Sequence, residues 1–318
     1  MKKLLVVFMT LIMAASLTSC EQTLSKIDIR PEYTVTFVDG ERETSGEFRL
    51  WDKIVYPTPE ERENYSFVGW SYDREENIPV PDNAKVNEDI TLYAVWEYNY
   101  DSVINTLYSD AIEINVAVKN TSYNTVFGTI VSEAASNGSG VIFDEDDMYY
   151  YILTNEHVTR KIDGYAHVKY RIEDCYGNSY SATLLASAPE YDLAIMRFEK
   201  GSEQLTVATV SESAPKIGEV VISIGQPGGV RNVITFGEVC RYEEISEGNN
   251  EVSEEMNFDV LWHDAPIDHG SSGGALLDGE INLVGINFAV VSDADTEEIL
   301  FGLSVPLEKL LEFLELYY

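Results

Sequence analysis

The sequence predicts an all-β protein: a small β module near the N-terminus, then a larger β sandwich or barrel followed by a short C-terminal helix. Residues 32–98 contain short alternating or aromatic-rich stretches separated by turn residues. From residue 111 onward, short strand-like stretches follow one another without a long helical period, which is typical of a sandwich or barrel. The final segment, residues 306–318, instead places leucines at helical spacing: Leu307, Leu310, Leu311 and Leu314.

The composition indicates a globular chain with a strongly acidic surface. Its 318 residues suffice for two domains, and a hydrophobic content of 45% supports a core of ordinary size. The chain has 21 Lys and Arg against 55 Asp and Glu, a formal net charge of −34. A surface of this charge repels phosphate backbones, so we expect no nucleic-acid partner.

Residues 1–19 have the features of a secretory signal peptide. Two lysines begin the segment, a mostly apolar run follows, and small residues lead to Cys20. The run is too short for a membrane-spanning helix and lacks stop-transfer charges. Its last residues, LTSC, resemble the lipobox of bacterial lipoproteins, which implies cleavage before Cys20 and attachment of diacylglycerol to its thiol. We therefore expect the protein on the extracytoplasmic face of a bacterial cell membrane, held by lipid, with residues 20–31 as a tether.

Residues 32–98 form the predicted β module. Residues 32–38 alternate apolar and polar side chains as a half-buried strand does, and Asp39-Gly40 supplies a turn. Two further strands, residues 65–72 and 89–96, are rich in aromatic and β-branched residues. The stretches YTVTF, FVGW and LYAVW resemble the internalin-type B-repeat of bacterial surface proteins, which implies a β-grasp-like fold. The aromatic residues either fill the small core or form a binding face; the module has no His or Cys, and we expect a spacer or adhesion element.

The candidate nucleophile lies in residues 263–277, HDAPIDHGSSGGALL. Glycines occur where the backbone turns sharply or approaches a ligand closely. A serine in such a bend presents its hydroxyl outward beside main-chain N–H donors, the arrangement that acyl transfer requires. Ser272, with Gly270 before it and two glycines after it, fits this position better than Ser271.

Two upstream residues supply the partners that a serine nucleophile needs. His157 is the second-last residue of the stretch YYILTNEHV, where we expect it directly after an apolar strand. Asp192 precedes the apolar stretch LAIM, and a carboxylate buried there needs a partner such as a histidine N–H. The order along the chain is His157, Asp192 and Ser272.

Taken with their flanks, these residues resemble the trypsin-like serine proteases of the bacterial HtrA/Deg group. The resemblance covers nearly all of residues 101–318 and rests on the stretches SGVIF, ILTNEHV, YDLAIMRF, VISIGQPGG, ITFGEV, DAPIDHGSSGGALL, LVGINFA and FGLSVP. It implies a double β-barrel, six strands in each, with the site between the barrels. It also implies a serine endopeptidase acting on proteins or peptides, with Ser272 as nucleophile, His157 as general base and Asp192 orienting the imidazole.

The resemblance implies binding positions as well. The backbone N–H groups of Gly270 and Ser272 would form the oxyanion hole. Pro266 and Ile267 would lie at the floor of the specificity pocket; neither is acidic, which favours an apolar substrate side chain over Lys or Arg. The strand edge that pairs with the substrate backbone would be Asn287, Phe288 and Ala289.

The chain departs from the family pattern at two positions and leaves several questions open. His269 and Ala275 stand where proline is common, and we expect no PDZ domain after the helix. The alternative function is an inactive protease-like surface lipoprotein used for binding or adhesion. A zinc hydrolase is disfavoured because the histidines lack metal-ligand spacing, and we expect no metal or other cofactor. Cys175 and Cys240 form either a disulfide or, as we favour, two free thiols; the sequence leaves the oligomeric state undetermined.

Overall fold

A computed structural model describes residues 28–106, 114–245, 256–293, 296 and 298–318. The predicted signal peptide, Cys20 and most of the tether lie outside the described residues. The chain divides into two compact units, Met1–Glu97 and Tyr98–Tyr318. Within the described residues, no helix has the length and apolar character needed to cross a membrane.

The N-terminal unit is built on a four-stranded sheet. Its strands are β1 (Glu32–Asp39), β2 (Arg42–Arg49), β3 (Tyr65–Ser71) and β4 (Ile90–Tyr98). They lie in the order β2-β1-β4-β3, with β1 antiparallel to β2 and parallel to β4. The buried core consists of Val35, Phe37, Ile54, Trp70, Val86 and Leu92.

The aromatic residues of this module lie both in its core and along its surface. Phe37 and Trp70 are buried, with ring centroids 5.0 Å apart in an edge-to-face pair. Phe67 is partly exposed and lines an open groove of about 730 Å³ together with Trp70 and Trp96. Core filling therefore explains most, but not all, of the aromatic content.

A short helix, α1 (Tyr100–Thr106), precedes the first barrel of the C-terminal unit. Its strands are β5 (Asn115–Val126), β6 (Thr129–Glu145), β7 (Tyr149–Thr154), β8 (His167–Glu173), β9 (Ser179–Ala188) and β10 (Leu193–Glu199). A single-turn helix, α2 (Glu156–Thr159), follows β7. The barrel closes in the order β10-β7-β6-β5-β8-β9, and every pairing between neighbouring strands is antiparallel.

The strands of the second barrel are β11 (Val220–Gly225), β12 (Val233–Glu243), β13 (Val260–His263), β14 (Ala275–Asp278), β15 (Leu283–Ser292) and β16 (Ile299–Pro306). This barrel closes in the order β11-β12-β13-β16-β15-β14 and is followed by helix α3 (Leu307–Tyr317). The predicted all-β class, with two closed six-stranded barrels, an N-terminal β repeat and a C-terminal helix, is confirmed.

Two details differ from or refine the sequence expectations. In α3 the buried residues include Phe313, whose ring packs 5.9 Å from that of Tyr191, whereas Leu311 is 44% exposed. The ring of Phe313 is long enough to contact Tyr191 of the first barrel, so the buried face of α3 includes Phe313 and leaves Leu311 outside it. Cys175 and Cys240 are both free thiols, as favoured.

Candidate functional site

His157 and Asp192 form a close pair. The Nδ1 atom of His157 lies 2.8 Å from Oδ2 and 3.0 Å from Oδ1 of Asp192, and the backbone N–H of His157 donates to Oδ1 at 3.0 Å. The Asp192 side chain is 5% exposed, whereas that of His157 is 38% exposed. A buried carboxylate thus fixes Nδ1 of an imidazole whose remaining surface faces solvent, leaving Nε2 for other chemistry.

The local structure around this pair differs from the sequence expectation in one respect. His157 lies within helix α2, three residues beyond the end of β7, rather than directly at the strand end. Asp192 has φ +48°, a left-handed conformation that Asp and Asn tolerate better than most residues. The Asn155 side chain donates to the Asp192 carbonyl at 2.8 Å, so a buried hydrogen bond holds this unusual backbone in place.

Ser272 lies three residues before β14, in the loop of residues 264–274 that joins β13 to β14, which we call the nucleophile loop after the candidate it carries. Gly270 and Gly273 have φ of +101° and +86°, values that suit only glycine without strain. Ser271 is buried and Ser272 is half-buried, which agrees with Ser272 as the reactive serine. Its hydroxyl donates to the carbonyl of Phe288 at 3.2 Å, and no hydrogen bond within the described residues joins it to His157.

The packing at Gly138 places this loop beside His157. A Cβ at Gly138 would lie 2.6 Å from the side chain of Val158 and 2.9 Å from the carbonyl oxygen of Ser272. Val158 immediately follows His157 in α2. The general base candidate from the first barrel and the nucleophile candidate from the second therefore meet where the barrels touch.

The main chain near Ser272 carries two unused donors. The N–H of Gly228 donates to the carbonyl of His269 at 2.8 Å. Because C=O and N–H of a trans peptide point in opposite directions, this bond turns the Gly270 N–H away from Gly228. Neither the Gly270 nor the Ser272 N–H donates to another described residue, and these are the two groups predicted for the oxyanion hole.

This arrangement predicts a strong effect at Gly270. A Cβ there would lie 2.4 Å from the carbonyl oxygen of Gln226, so Gly270→Ala must displace the peptide that carries the N–H. We expect turnover of a peptide substrate to fall by roughly 10²–10³-fold, the usual loss for one oxyanion donor.

Gly229→Ala is the matched control for this change. Gly229 also has positive φ, at +80°, but a Cβ there meets no atom within 4 Å. This variant carries the backbone strain without the collision, so we expect a lower melting temperature and nearly full turnover. Equal loss of turnover in both variants would contradict the assignment of the Gly270 N–H.

Ser139 is a supporting residue that the sequence did not single out. On β6, its N–H donates to the carbonyl of Ser272 at 2.7 Å and its hydroxyl to the carbonyl of Gly270 at 2.8 Å. Thr154 in turn donates to the carbonyl of Ser139 at 2.7 Å. The first barrel thereby holds the nucleophile loop of the second; only the pairing of distant strands reveals this contact.

The predicted substrate-contacting residues separate into two groups. A small cleft of about 20 Å³ beside Ser272 is lined by Ile267, Phe288 and Ala289, among others. Pro266 is exposed and does not line it. Asn287 is fully buried: its carbonyl accepts from the Gly273 N–H at 2.8 Å and its side chain donates to Ser223 at 2.9 Å. Asn287 therefore supports the nucleophile loop, whereas the exposed acidic residue Asp268 lines the cleft beside Ile267.

A second histidine, His263, lies beneath this loop. It is fully buried, and neither ring nitrogen makes a hydrogen bond of normal geometry. Its Nε2 lies 2.7 Å, and the Ile267 Cδ1 2.9 Å, from the position of a Cβ on Gly302. Burial lowers the pKa of His263 from 6.5 to about 4, although the nearby Asn287 side chain and Ala265 backbone oppose the shift.

This lowered pKa predicts an acid-sensitive fold. The unfolded chain binds the proton more tightly than the native one, so the contribution of His263 to stability is complete above pH 6.5 and is lost as the pH falls towards 4. The loss amounts to about 3 kcal/mol. Urea unfolding of wild type and His263→Leu should give a stability difference that shifts by this amount between pH 7 and 4. A pH-independent difference for His263→Leu would contradict the prediction.

No group of three or more His, Cys, Asp or Glu within the described parts of the chain is arranged to hold a metal ion.

The chain matches two families of known proteins. Residues 138–286 match the family described as trypsin-like peptidase domain, and residues 33–95 match the Listeria-Bacteroides repeat domain. The first match runs from within β6 of the first barrel to within β15 of the second and includes His157, Asp192 and Ser272. The second corresponds to the N-terminal unit.

Similar proteins include several bacterial serine proteases. The chain is 32% identical over 194 residues to the serine protease Do-like HtrA of Bacillus subtilis, covering 58% of this chain and 41% of that protein. It is 34% identical over 179 residues to the serine endoprotease DegS of Escherichia coli, covering 55% of this chain and 46% of that protein. The chain thus spans less than half the length of these curated relatives.

A solved structure shares the fold of the two barrels. The structure titled HtrA-type protease AlgW with tripeptide superposes with a TM-score of 0.52 at 29% identity, covering 67% of this chain and 62% of that one. The similarity agrees with the double-barrel architecture described above.

Proposed function

We propose that this protein is a serine endopeptidase that cleaves protein or peptide substrates through an acyl-enzyme intermediate. The observation that carries the proposal is the His157–Asp192 pair, 2.8 Å apart, held against a glycine-rich loop that presents Ser272. The trypsin-like peptidase match and the serine protease relatives support the same reaction class.

In the proposed mechanism, the Oγ of Ser272 attacks the scissile carbonyl carbon while Nε2 of His157 takes its proton. The carboxylate of Asp192 stabilises the resulting imidazolium through Nδ1, and the Gly270 and Ser272 N–H groups receive the negative charge on the carbonyl oxygen. The imidazolium then protonates the leaving amine, which departs from the acyl-enzyme. Water, deprotonated by the same histidine, releases the acid and restores Ser272.

The Ser272 hydroxyl must change its partner for this reaction to begin. It now donates to the carbonyl of Phe288, on the strand proposed to pair with the substrate. A substrate backbone docked on that strand competes for the same carbonyl. Substrate binding would therefore release the hydroxyl to turn towards His157, so that the nucleophile becomes available when a substrate is in place.

Labelling by a fluorophosphonate probe together with cleavage of casein tests the proposal. We expect covalent labelling that mass spectrometry maps to the tryptic peptide containing Ser272, accompanied by fragmentation of casein. Labelling without casein cleavage would indicate a reactive active site whose substrate specificity is too narrow to accept casein. Absence of both would contradict the proposed activity and favour the alternative, a binding or adhesion lipoprotein.

We propose further that lipid on Cys20 holds the protein at the extracytoplasmic face of a bacterial membrane. The support is the sequence alone: an apolar run preceded by two lysines and ending in LTSC. The mass of the mature N-terminal peptide tests this directly. A diacylglyceryl adduct on Cys20 is expected, and an unmodified peptide or an uncleaved segment would contradict it.

A further inference from the structure

The hairpin formed by β5 and β6 ends in a cluster of exposed apolar side chains. This hairpin tip, residues 125–131, contains Val126, Phe127, Ile130 and Val131. Phe127 is completely exposed at 105% of its reference surface, and the other three are 44–58% exposed. Large apolar side chains clustered in water are unusual on a soluble protein and mark sites of interaction.

The tip extends alone beyond the barrel wall. Strand β5 pairs with β8 only as far as Tyr123, and β6 pairs with β7 only from Val141 onward. Four further residues carry the chain to Phe127, a reach of about 13 Å at the usual rise of a strand. The Asn124 side chain fixes the base of the tip, since it accepts from the Ala166 N–H at 2.8 Å and donates to the Gly164 carbonyl at 3.2 Å.

The turn itself retains a bulky residue in an unfavourable conformation. Phe127 has φ +49° and Gly128 has φ +81°, the signature of a tight two-residue hairpin turn. Asn-Gly is the favoured sequence for this turn, and an aromatic residue with positive φ is an outlier. Phenylalanine therefore lowers the stability of the turn where asparagine would raise it, which indicates that its side chain is needed for another purpose.

Charge is also missing from this segment. Residues 121–132 contain no charged side chain, in a protein that is 24% charged. Charged side chains resist transfer out of water, so their absence from the hairpin tip removes this penalty when the tip enters an apolar environment.

We infer that the hairpin tip inserts into the interfacial region of a lipid bilayer. A reach of about 13 Å suits the depth of roughly 5–10 Å at which apolar side chains enter that region. The tip is only two strands wide, so the area that it offers is much smaller than the roughly 800 Å² that each partner of a stable protein interface buries. Its side chains also offer no charge to specify a protein partner. A contact this small is weak alone and acts together with a second attachment, such as the proposed lipid on Cys20.

Fluorescence on vesicles tests this inference independently of lipidation. The full chain is held on phosphatidylcholine vesicles containing nickel-chelating lipid through a C-terminal hexahistidine tag on a flexible linker. An environment-sensitive fluorophore is attached at Val131→Cys or, as matched control, at Ile217→Cys, which is 67% exposed outside the tip. Both variants also carry Cys20→Ser, Cys175→Ala and Cys240→Ala, so that the introduced cysteine is the only thiol and no lipid can be attached at residue 20; unchanged melting verifies this background.

We expect a blue shift and quenching by spin-labelled lipid at position 131 but not at position 217. Phe127→Asn should reduce the quenching at position 131 at least several-fold while leaving the melting temperature equal or higher, because Asn-Gly suits the turn. No shift at position 131, or equal shifts at both positions, would overturn the inference. So would a shift at position 131 that appears without vesicles and rises with protein concentration, since a second copy of the chain would then be the occupant.

Discussion

Replacement of Ser272 by alanine is expected to lower turnover by roughly 10⁶-fold, the loss seen when a serine nucleophile is removed from an intact site. No other hydroxyl takes its place, because Ser271 is 2% exposed and points into the loop, where it approaches the N–H of Asp268 at 3.4 Å. The Ser272 backbone hydrogen bond to Ser139 does not involve the side chain, so the loop should keep its shape.

Ser271→Ala is the natural comparison for this experiment. The two serines are adjacent and differ in exposure, and only Ser272 donates to the carbonyl on the proposed substrate strand. We expect Ser271→Ala to retain activity within a few-fold and to label with a fluorophosphonate as wild type does. Should Ser271→Ala abolish labelling while Ser272→Ala retains it, the assignment of the nucleophile would be wrong.

Asp192→Asn is expected to lower turnover by roughly 10⁴-fold without unfolding the protein. An amide N–H facing Nδ1 of His157 stabilises the tautomer with its proton on Nε2, and that nitrogen then cannot accept the proton of Ser272. The left-handed backbone at this position, φ +48°, suits Asn as well as Asp. Circular dichroism and melting should therefore remain close to wild type while peptide cleavage is lost.

Two further variants, one at Asp192 and one at Asp268, separate the effect of charge from that of structure. Asp192→Ala removes both the charge and the residue type that tolerates positive φ, so its melting temperature should fall as well as its activity. Asp268→Asn removes an exposed carboxylate within the nucleophile loop. It should have little effect, because the amide oxygen of Asn can still accept from the His269 N–H, as Asp268 Oδ1 does at 2.6 Å. A loss of turnover of similar size in Asp268→Asn would mean that negative charge near the site, and not the buried His157–Asp192 pair, controls turnover.

The all-β class and the strands of the repeat module follow from the sequence because they rest on local patterns, whereas the two six-stranded barrels are expected only from the resemblance to trypsin-like proteases. Alternation in residues 32–38 and the apolar run before Asn155 are visible without knowledge of distant partners. The sequence also places His157, Asp192 and Ser272 in the order typical of one protease class; their roles remain predictions that the variants above test.

What the sequence could not predict depends on contacts between distant strands. Ser139 looks like an ordinary strand residue until β6 is placed against the nucleophile loop. The helix face in residues 307–317 includes Phe313 instead of Leu311 because the ring of Tyr191 lies opposite. The complete exposure of Phe127 likewise depends on where β8 stops pairing with β5, which no local pattern reveals.

The two hydrogen bonds from Ser139 also bear on how such a protease matures. The first barrel carries Ser139 and the proposed base His157, and the second carries the proposed nucleophile Ser272. A chain in which only one barrel has folded cannot bring these groups together, so we expect it to lack peptidase activity. Folding of both barrels and their packing against each other would then be what switches the activity on.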